Sequence, residues 1–310
     1  MVTIDLTTPP PPPTSFLEGL PRRLTLTLPE LRQVAQLAGD APLPFDLVDP
    51  AEPTSSGLQG RLGHTGASTD DQAYAAALSS LHDPMETLRR RGLIGEDGVD
   101  ARLAGAIGLL ATPELALDID VSVRGTHVKA WHREAANAVA TLATCDGVVF
   151  ELAWFAVDQW PAELARVAAI PEDVRLSTSA LPDEIDLPFH LVDSVGEALR
   201  SGRSDLVPVL LERHGAGLTG VGGNSLTSAE AATAIAGIHT EGQGRLRVLA
   251  ARVADEATRA VGLVSWVLLA DGWHSLVPHQ LEDESRLVIR RTNPDALATE
   301  LAPVLAQVNA

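Results

Sequence analysis

Cysteine and lysine are almost absent from this sequence of 310 residues. Cys145 is the single cysteine, so no internal disulfide can form and a cysteine-rich zinc site is excluded. Lys129 is the single lysine, which leaves one candidate for catalysis by a lysine amine. Because scarce cysteine suits a reducing compartment, we expect a cytoplasmic protein.

Positive charge and long apolar runs are also scarce. The chain carries 23 Lys and Arg against 41 Asp and Glu, a net charge of −18. Since nucleic-acid affinity rests mainly on cations that neutralise phosphates, this balance argues against a nucleic-acid partner. No apolar run reaches the roughly 18 residues of a membrane helix, and the N-terminus lacks the basic start and apolar core of a signal peptide. We therefore expect no membrane insertion.

Apolar residues are plentiful, at 45% of the chain, and their spacing indicates β-structure. Val261–Pro278 contains two apolar runs that meet at Ala270-Asp271-Gly272. Asp-Gly at such a junction predicts a β-hairpin, because both residues tolerate the positive φ of a tight turn. Leu115–Val123 alternates apolar and polar positions, which predicts a half-buried strand with Asp118 and Asp120 on its wet face. A catalytic carboxylate pair is the alternative, but such pairs act from opposed elements.

Capping residues and periodicity place the remaining elements. Thr227-Ser-Ala-Glu230 is a capping box that opens an Ala-rich helix. Helices are predicted at 29–37, 70–81, 84–91, 100–110, 161–170, 191–200, 206–214, 227–238 and 293–308, the last kinked or divided by Pro303; strands are predicted at 24–28, 127–133, 139–144, 148–154, 245–254, 261–269, 273–277 and 286–290. Residues 40–69 are predicted to form a long surface loop.

The order of these elements predicts a doubled organisation. Residues 1–21 form a Pro-rich tail that we expect to be disordered, followed by one domain at 22–308. That domain divides into an N-terminal half at 22–170, an acidic, Pro-containing linker at 171–187 and a C-terminal half at 188–308. Each half contains helices, four strands and a closing helix. The pattern predicts an α+β fold whose pseudo-symmetric halves share one mostly antiparallel sheet.

Two glycine-rich segments resemble catalytic or nucleotide-binding motifs. Gly215-Ala-Gly217-Leu-Thr-Gly220 matches the dinucleotide fingerprint, but it follows a helix-like segment, whereas the motif needs a strand before it and a helix after it. A loop between helices is the favoured interpretation. Gly223-Asn224-Ser225-Leu226-Thr227 lacks the final glycine of a nucleophile elbow, so Ser225 is interpreted as a loop serine.

The histidines and tryptophans offer little evidence for a ligand site. His127 and His132, like His274 and His279, are five residues apart in strand-like segments. An odd separation sends strand side chains to opposite faces, which disfavours shared metal ligation. The five tryptophans are interpreted as core or partner-facing residues rather than the lining of a ligand pocket. We predict no metal, no cofactor and no catalytic residues.

Three segments together resemble one protein family. Leu88–Val123 reads LRRRGLIGEDGVDARLAGAIGLLATPELALDIDVSV, Val261–Pro278 reads VGLVSWVLLADGWHSLVP, and an earlier segment reads LTLPELRQVAQLAG. In this order they resemble the EspG family of actinobacterial type VII (ESX) secretion chaperones, over residues 22–308. The resemblance implies a central, mostly antiparallel sheet flanked by two helical bundles in pseudo-twofold halves.

The resemblance also implies a function without catalysis. EspG-like proteins bind the apolar helical tip of the PPE protein in a PE/PPE heterodimer and keep this secretion substrate soluble in the cytosol. Such a tip is an aggregation liability that docking in a groove can mask. Here Arg124-Gly125-Thr126 is a shorter connection than the family's substrate-contacting loop. The identity of the substrate pair therefore stays open, as does homodimerisation.

A partner surface is expected on the C-terminal half, because the resembling family binds through its sheet and C-terminal bundle. The apolar candidates lie on the glycine-rich loop and the capped helix: Leu218, Val221, Leu226, Ala231 and Ile235. The alternative is that these spaced apolar residues belong to the core of the bundle.

Two other functions remain as alternatives. The first is a small-molecule or nucleotide-binding enzyme that uses the Gly215–Gly220 loop. The second is a secreted substrate itself, but the chain lacks the Trp-x-Gly hairpin signature, and Leu78 stands four residues after Tyr74 where such substrates carry an acidic residue.

Overall fold

A computed structural model describes residues 21–45, 82–214, 217–254 and 257–308. The predicted Pro-rich tail lies outside the described residues except for its last position, and so do most of the predicted loop at 40–69 and the whole predicted helix at 70–81. The predictions for those segments stay predictions.

The described residues form thirteen strands and eight α-helices. The strands are β1 (Arg22–Thr27), β2 (Ile94–Gly95), β3 (Gly98–Val99), β4 (Leu115–Val123), β5 (Thr126–Ala135), β6 (Ala138–Thr144), β7 (Val149–Ala156), β8 (Glu184–Pro188), β9 (Thr219–Gly220), β10 (Gly244–Ala254), β11 (Ala257–Leu269), β12 (Gly272–Leu281) and β13 (Glu284–Arg291). The α-helices are α1 (Leu28–Leu37), α2 (Pro84–Arg90), α3 (Ala101–Ala111), α4 (Trp160–Val167), α5 (Phe189–Arg200), α6 (Val207–His214), α7 (Ser228–Thr240) and α8 (Leu297–Val308). Each described helix is too short or too polar to cross a lipid bilayer.

Eleven of these strands form one sheet in the order β1-β7-β6-β5-β4-β10-β11-β12-β13-β8-β9. The predicted α+β class with a large antiparallel sheet is therefore confirmed. A two-residue turn joins β4 to β5, in which Arg124 has φ +48° and Gly125 has φ +86°. These left-handed conformations match the twist of a tight hairpin and confirm that this connection is short.

The chain contacts define two compact units. The first contains the described residues up to Glu114 together with His132–Trp160. In it, β7 pairs antiparallel with β1 on one side and with β6 on the other. The N-terminal end of α1 is held by a capping box between Thr27 and Glu30, and the Glu30 Oε2 atom also accepts a 3.3 Å hydrogen bond from Arg91 Nη1.

The second unit contains Leu115–Trp131 and the described residues from Pro161 onward. Its strands pair antiparallel in the order β4-β10-β11-β12-β13-β8-β9. Helices α5, α6 and α7 pack on one another and on this part of the sheet around a shared apolar core. The predicted division into halves at 22–170 and 188–308 stays a prediction.

Strand β8 corrects the predicted linker at 171–187. Glu184–Pro188 pairs antiparallel with β13 because Ile185 and Leu187 alternate with polar residues and bury their side chains completely. Strand β9 in turn pairs with β8, in a region that was predicted as a loop between helices. Both strands are short, and their partners are distant in sequence.

The hairpin formed by β11 and β12 is confirmed, but its turn differs from the prediction by one residue. Leu269 pairs with Gly272, so the two loop residues are Ala270 and Asp271. Gly272, directly after the turn, has φ +133°, a conformation that favours glycine. Helix α8 runs through Pro303, so Pro303 does not divide it, and the alternative prediction of a kink stays a prediction.

Candidate partner-binding surface

Strand β10 presents two chemically different faces. Leu246, Val248 and Ala250 are fully buried, whereas Arg247 is partly exposed and Leu249 is 43% exposed. This alternation follows from the two-residue period of a strand. One face therefore belongs to the core, and the other meets solvent.

Helix α8 covers the buried face of β10 and β11. Trp266 of β11 pairs with Leu246 and is 1% exposed, and its indole Nε1 donates a 2.7 Å hydrogen bond to Glu300 Oε2 of α8. Gly262 lies against Val304, where a Cβ atom would come within 2.8 Å of Val304 Cγ1. This side of the two strands is closely packed.

Two leucines lie opposite each other on the uncovered face. Leu249 pairs with Leu263, and the two side chains are 43% and 55% exposed. Directly opposed residues on neighbouring strands have Cβ atoms about 5 Å apart, so these leucines form one continuous apolar spot. Single exposed leucines are ordinary, whereas a contiguous exposed apolar area is a candidate contact for a partner.

Charged residues surround this apolar spot. In the pairing of β10 with β4, Leu249 lies opposite Asp118, and Arg247 lies opposite Asp120. The predicted wet face of β4 is thereby confirmed, since Asp118 is exposed and Asp120 partly exposed. We call Asp118, Asp120, Arg247, Leu249 and Leu263 the leucine face.

The C-terminal bundle, formed by α5, α6 and α7, covers the continuation of the same sheet face. Ser265 of β11, which shares a face with Leu263, pairs with Leu276, and the same row continues through Ile289 and Ile185. These last three side chains pack in the core of the C-terminal bundle. The leucine face is thus the part of this sheet face that the bundle leaves uncovered.

The five apolar residues predicted as a partner surface lie mostly inside the C-terminal bundle. Leu218, Ala231 and Ile235 are 6%, 1% and 0% exposed, and Leu226 is partly buried against the same core. Val221, in a short 3-10 turn, is 53% exposed. In this conformation Val221 is the member of the set that presents most of its side chain to a partner.

The predicted capping box at the start of α7 is confirmed. Thr227 Oγ1 accepts a 3.3 Å hydrogen bond from Glu230 N, and Glu230 Oε2 accepts 2.9 Å and 2.7 Å hydrogen bonds from Thr227 N and Oγ1. The Thr227 hydroxyl and amide bonds lower the pKa of Glu230, because they favour the ionised carboxylate. The cap fixes the point where the glycine-rich loop enters the helix.

A buried arginine fixes the other end of that loop. Arg286 is 3% exposed, and its Nη2 donates a 2.8 Å hydrogen bond to the carbonyl of Gly217. Its Nε donates to Asp186 Oδ1 at 3.0 Å, and its Nη1 donates to Glu284 Oε2 at 2.8 Å. A buried guanidinium needs such partners to offset its lost hydration.

The geometry of the glycine-rich loop disfavours nucleotide binding. The described part of the loop follows α6 and leads into β9 and a three-residue 3-10 turn, and α7 begins only at Ser228. The fingerprint requires a strand before the loop and a helix N-terminus directly after it. Gly220 instead lies against Leu226, where a Cβ atom would come within 3.1 Å of Leu226 Cδ2.

Helices α5 and α7 meet at a close contact between glycine and histidine. A Cβ atom on Gly196 would come within 2.6 Å of His239 Cε1, and His239 Nε2 lies 3.1 Å from the carbonyl of Val192. Partial burial of the ring lowers the pKa of His239. The neutral ring therefore fits this contact best, with its Nε2–H donating to the Val192 carbonyl.

Several other histidines and tryptophans lie in structural contacts. His132 Nδ1 accepts a 2.9 Å hydrogen bond from Trp160 Nε1, and His274 is fully buried. Trp266 and Trp273 are buried with ring centroids 6.1 Å apart, which confirms that both are core residues. Within the described ranges, no group of three or more His, Cys, Asp or Glu side chains is placed to hold a metal ion.

The leucine face was missed at the sequence level, although one signal for it is present. Arg245, Arg247 and Leu249 occupy alternate positions and therefore share a face of β10. A leucine that follows two arginines on a polar face indicates an exposed apolar position. Its partner Leu263 could not be inferred, because the pairing of β10 with β11 contains a register shift at Ala250/Ala251.

Comparisons with known proteins support the fold. The sequence matches no protein-family model and no curated protein. Among solved structures, it is similar to EspG5, a type VII secretion system chaperone of Mycobacterium tuberculosis that was solved in complex with a PE25-PPE41 dimer. The TM-score is 0.60 and the sequence identity is 12%. The match covers 92% of this chain and 96% of that chain. The resemblance inferred from the sequence is thus confirmed at the level of the fold.

Proposed function

We propose that this protein is a cytoplasmic, non-catalytic chaperone that binds the apolar helical tip of a type VII secretion substrate of PE/PPE type. The observation that carries the proposal is the fold shared with EspG5 over 92% of this chain. That chaperone was solved with a PE25-PPE41 dimer. Nearly complete coverage of both chains favours a related role over the chance reuse of one motif.

The leucine face gives this proposal a physical basis. Leu249 and Leu263 offer an apolar contact for the substrate tip, while Asp118, Asp120 and Arg247 offer charges that set its orientation. Burial of exposed leucines contributes roughly 25 cal/mol per Å² of apolar area removed from water. Charged groups beside an apolar centre contribute more to specificity than to affinity.

The C-terminal bundle supplies the second part of the proposed interface. Its helices adjoin the leucine face, and Val221 projects from the loop between α6 and α7. An interface of ordinary size buries about 1,600 Å² in total, more than two leucines can provide. We therefore retain the loop around Val221 as a contact, with the predicted partner residues Leu218, Leu226, Ala231 and Ile235 supporting it from the core.

Co-expression tests the proposal. The protein would be produced with PE/PPE pairs encoded beside type VII secretion genes in its own genome, and complexes would be isolated by gel filtration with light scattering. We expect one stable complex with a single chaperone per pair, and the free protein in the same run would show whether it forms homodimers. If no such pair co-purifies, the proposal fails.

Matched variants locate the interface. Leu263→Asp and Leu249→Asp should each weaken substrate binding by about tenfold or more, because a carboxylate would replace an apolar contact. Leu37→Asp is the control, since Leu37 is an exposed leucine, 45% accessible, in the first unit. Circular dichroism would verify folding. Equal loss of binding in all three variants would overturn the assignment to the leucine face.

A further inference from the structure

A shallow, open depression lies beside the hairpin that joins β12 to β13. The turn consists of Glu282 and Asp283, and Glu282 has φ +53°. The depression has a volume of 690 Å³. Its lining residues are Phe189, His190, Leu281, Glu282, Asp283, Glu284 and Ser285.

Two large apolar side chains are exposed in this depression. Phe189, the first residue of α5, is 44% exposed, and Leu281, the last residue of β12, is 54% exposed. Leu281 is an odd number of residues from Leu276, so it lies on the face of β12 opposite to the face that the C-terminal bundle covers. The depression shares no lining residue with the leucine face.

Carboxylates form the rim of the depression. In the part of the chain that the structure describes, Glu282 and Asp283 make no ion pair, whereas Glu284 is bound to Arg286 at 2.8 Å. Arg286 is 3% exposed and also binds Asp186, so the base of the hairpin is fixed to β8. Glu282 and Asp283, which make no ion pair within the described residues, thus lie on a hairpin whose base is fixed to β8. They are beside the exposed side chains of Phe189 and Leu281.

We propose that this depression docks a basic amphipathic segment of a partner protein. A large apolar side chain of the partner would seat between Phe189 and Leu281, and its Lys or Arg residues would pair with Glu282 and Asp283. The acidic rim repels anionic surfaces, which disfavours an anionic lipid membrane as the occupant. The net charge of −18 would in addition accelerate the approach of a cationic segment.

A synthetic peptide provides the probe. A labelled helical peptide of about 14 residues, with Leu on one face and Lys on the other, would be titrated into the full-length protein by fluorescence anisotropy. Two peptides serve as comparisons: one with Glu in place of Lys, and one with Ser in place of Leu. We expect the Lys/Leu peptide to bind at least about tenfold more tightly than either. Its affinity should fall between ~50 and ~300 mM NaCl, because salt screens the carboxylates.

Variants with matched controls separate this site from general attraction to an acidic protein. Leu281→Ser and the double change Glu282→Lys/Asp283→Lys should each lower the affinity for the Lys/Leu peptide by about tenfold. The controls are Leu176→Ser, at a leucine that is 49% exposed, and Glu172→Lys/Asp173→Lys, at two exposed carboxylates. Both controls should bind within about twofold of the parent protein.

Hydrogen exchange gives a second measurement that needs no variant. The Lys/Leu peptide should slow exchange at the amides of residues 281–285 and leave residues 245–249 unchanged. Equal affinity for the site variants and their controls, or equal binding of the Glu/Leu peptide, would overturn the proposal. The result is independent of the chaperone proposal, because Leu263→Asp should bind the peptide as the parent does.

Discussion

Strands β10 and β11 carry leucines and other apolar residues on both faces, yet the two faces differ in burial where the C-terminal bundle does not reach. Leu246 and Trp266 are 0% and 1% exposed, whereas Leu249 and Leu263, opposed on the other face, are 43% and 55% exposed. The covering helix α8 lies on the first face only. The apolar character of a strand position therefore does not determine its role; the presence of a covering element does.

The difference also separates stability from binding within one pair of strands. Side chains under α8 contribute to folding, since their burial removes apolar area from water. Leu249 and Leu263 on the leucine face contribute little to folding and remain available to a partner. Substitutions on the two faces should consequently have opposite signatures, with a loss of stability on one and a loss of binding on the other.

The largest effect is expected from Trp266→Ala on the covered face. The change removes a fully buried indole and its hydrogen bond to Glu300 of α8. Truncation of a buried aromatic side chain costs about 3–5 kcal/mol. Urea unfolding followed by circular dichroism would measure the free energy of unfolding. A cost below about 1 kcal/mol would show that α8 does not close this face in solution.

A smaller effect is expected from Gly262→Ala, which tests how closely α8 approaches β11. The added Cβ atom would lie 2.8 Å from Val304 Cγ1, so helix or strand must shift. Overpacking of this kind costs about 1–3 kcal/mol, partly offset by the reduced entropy of the unfolded chain.

Val304→Ala in the same chain should restore most of the lost stability, because it removes the atom that the new methyl group meets. Gly95→Ala is the control, since no atom lies within 4 Å of its added Cβ. If the double variant is no more stable than Gly262→Ala alone, the contact between Gly262 and Val304 is not the cause.

The covered face was largely foreseeable from the sequence, and the open face was not. Leu115–Val123 and the start of β10 alternate strictly, so their strands and inward residues could be predicted. Strands β8 and β9 were missed because Glu184–Pro188 is short and Thr219–Gly220 has only two residues. Each depends on partners distant in the chain, and such pairing leaves little local signal.

The candidate site was harder to infer for the same reason. Apolar spacing selected Leu218, Ala231 and Ile235 as a partner surface, but these side chains lie in the core of the C-terminal bundle, because spacing cannot show whether an apolar side meets the sheet or solvent. Exposure of Leu249 and Leu263 follows from where the C-terminal bundle ends on their face of the sheet. That boundary is a property of tertiary packing alone.

Acidification should weaken the C-terminal bundle that adjoins the leucine face. Burial lowers the pKa of His239 in the folded protein below its ordinary value of 6.5, so the unfolded chain takes up the proton first as pH falls. The contribution of the neutral His239 ring to the free energy of unfolding is therefore complete above pH 6.5. It is lost as the pH falls through 6.5 toward the lower pKa of the folded protein. The effect should be smaller than that of either core substitution, because the ring is partly solvated.

Thermal melts between about pH 8 and pH 5.5 would measure this loss in the parent protein and in His239→Gln. Subtracting the two profiles removes the contribution of the other histidines. The parent should lose more stability than the variant on acidification. Identical profiles would show that His239 carries no part of the pH dependence.

The smallest effect on stability is expected from Leu263→Thr on the open face. Leu263 is 55% exposed, and threonine retains the preference for β-structure, so the free energy of unfolding should change by less than about 0.5 kcal/mol. Binding of the PE/PPE-type substrate should nevertheless fall by about tenfold, because threonine removes most of the apolar contact opposite Leu249. Urea unfolding and co-purification on the same sample would measure both. A stability loss comparable to that of Trp266→Ala would mean that the open face is covered in solution, and the distinction between the two faces would then fail.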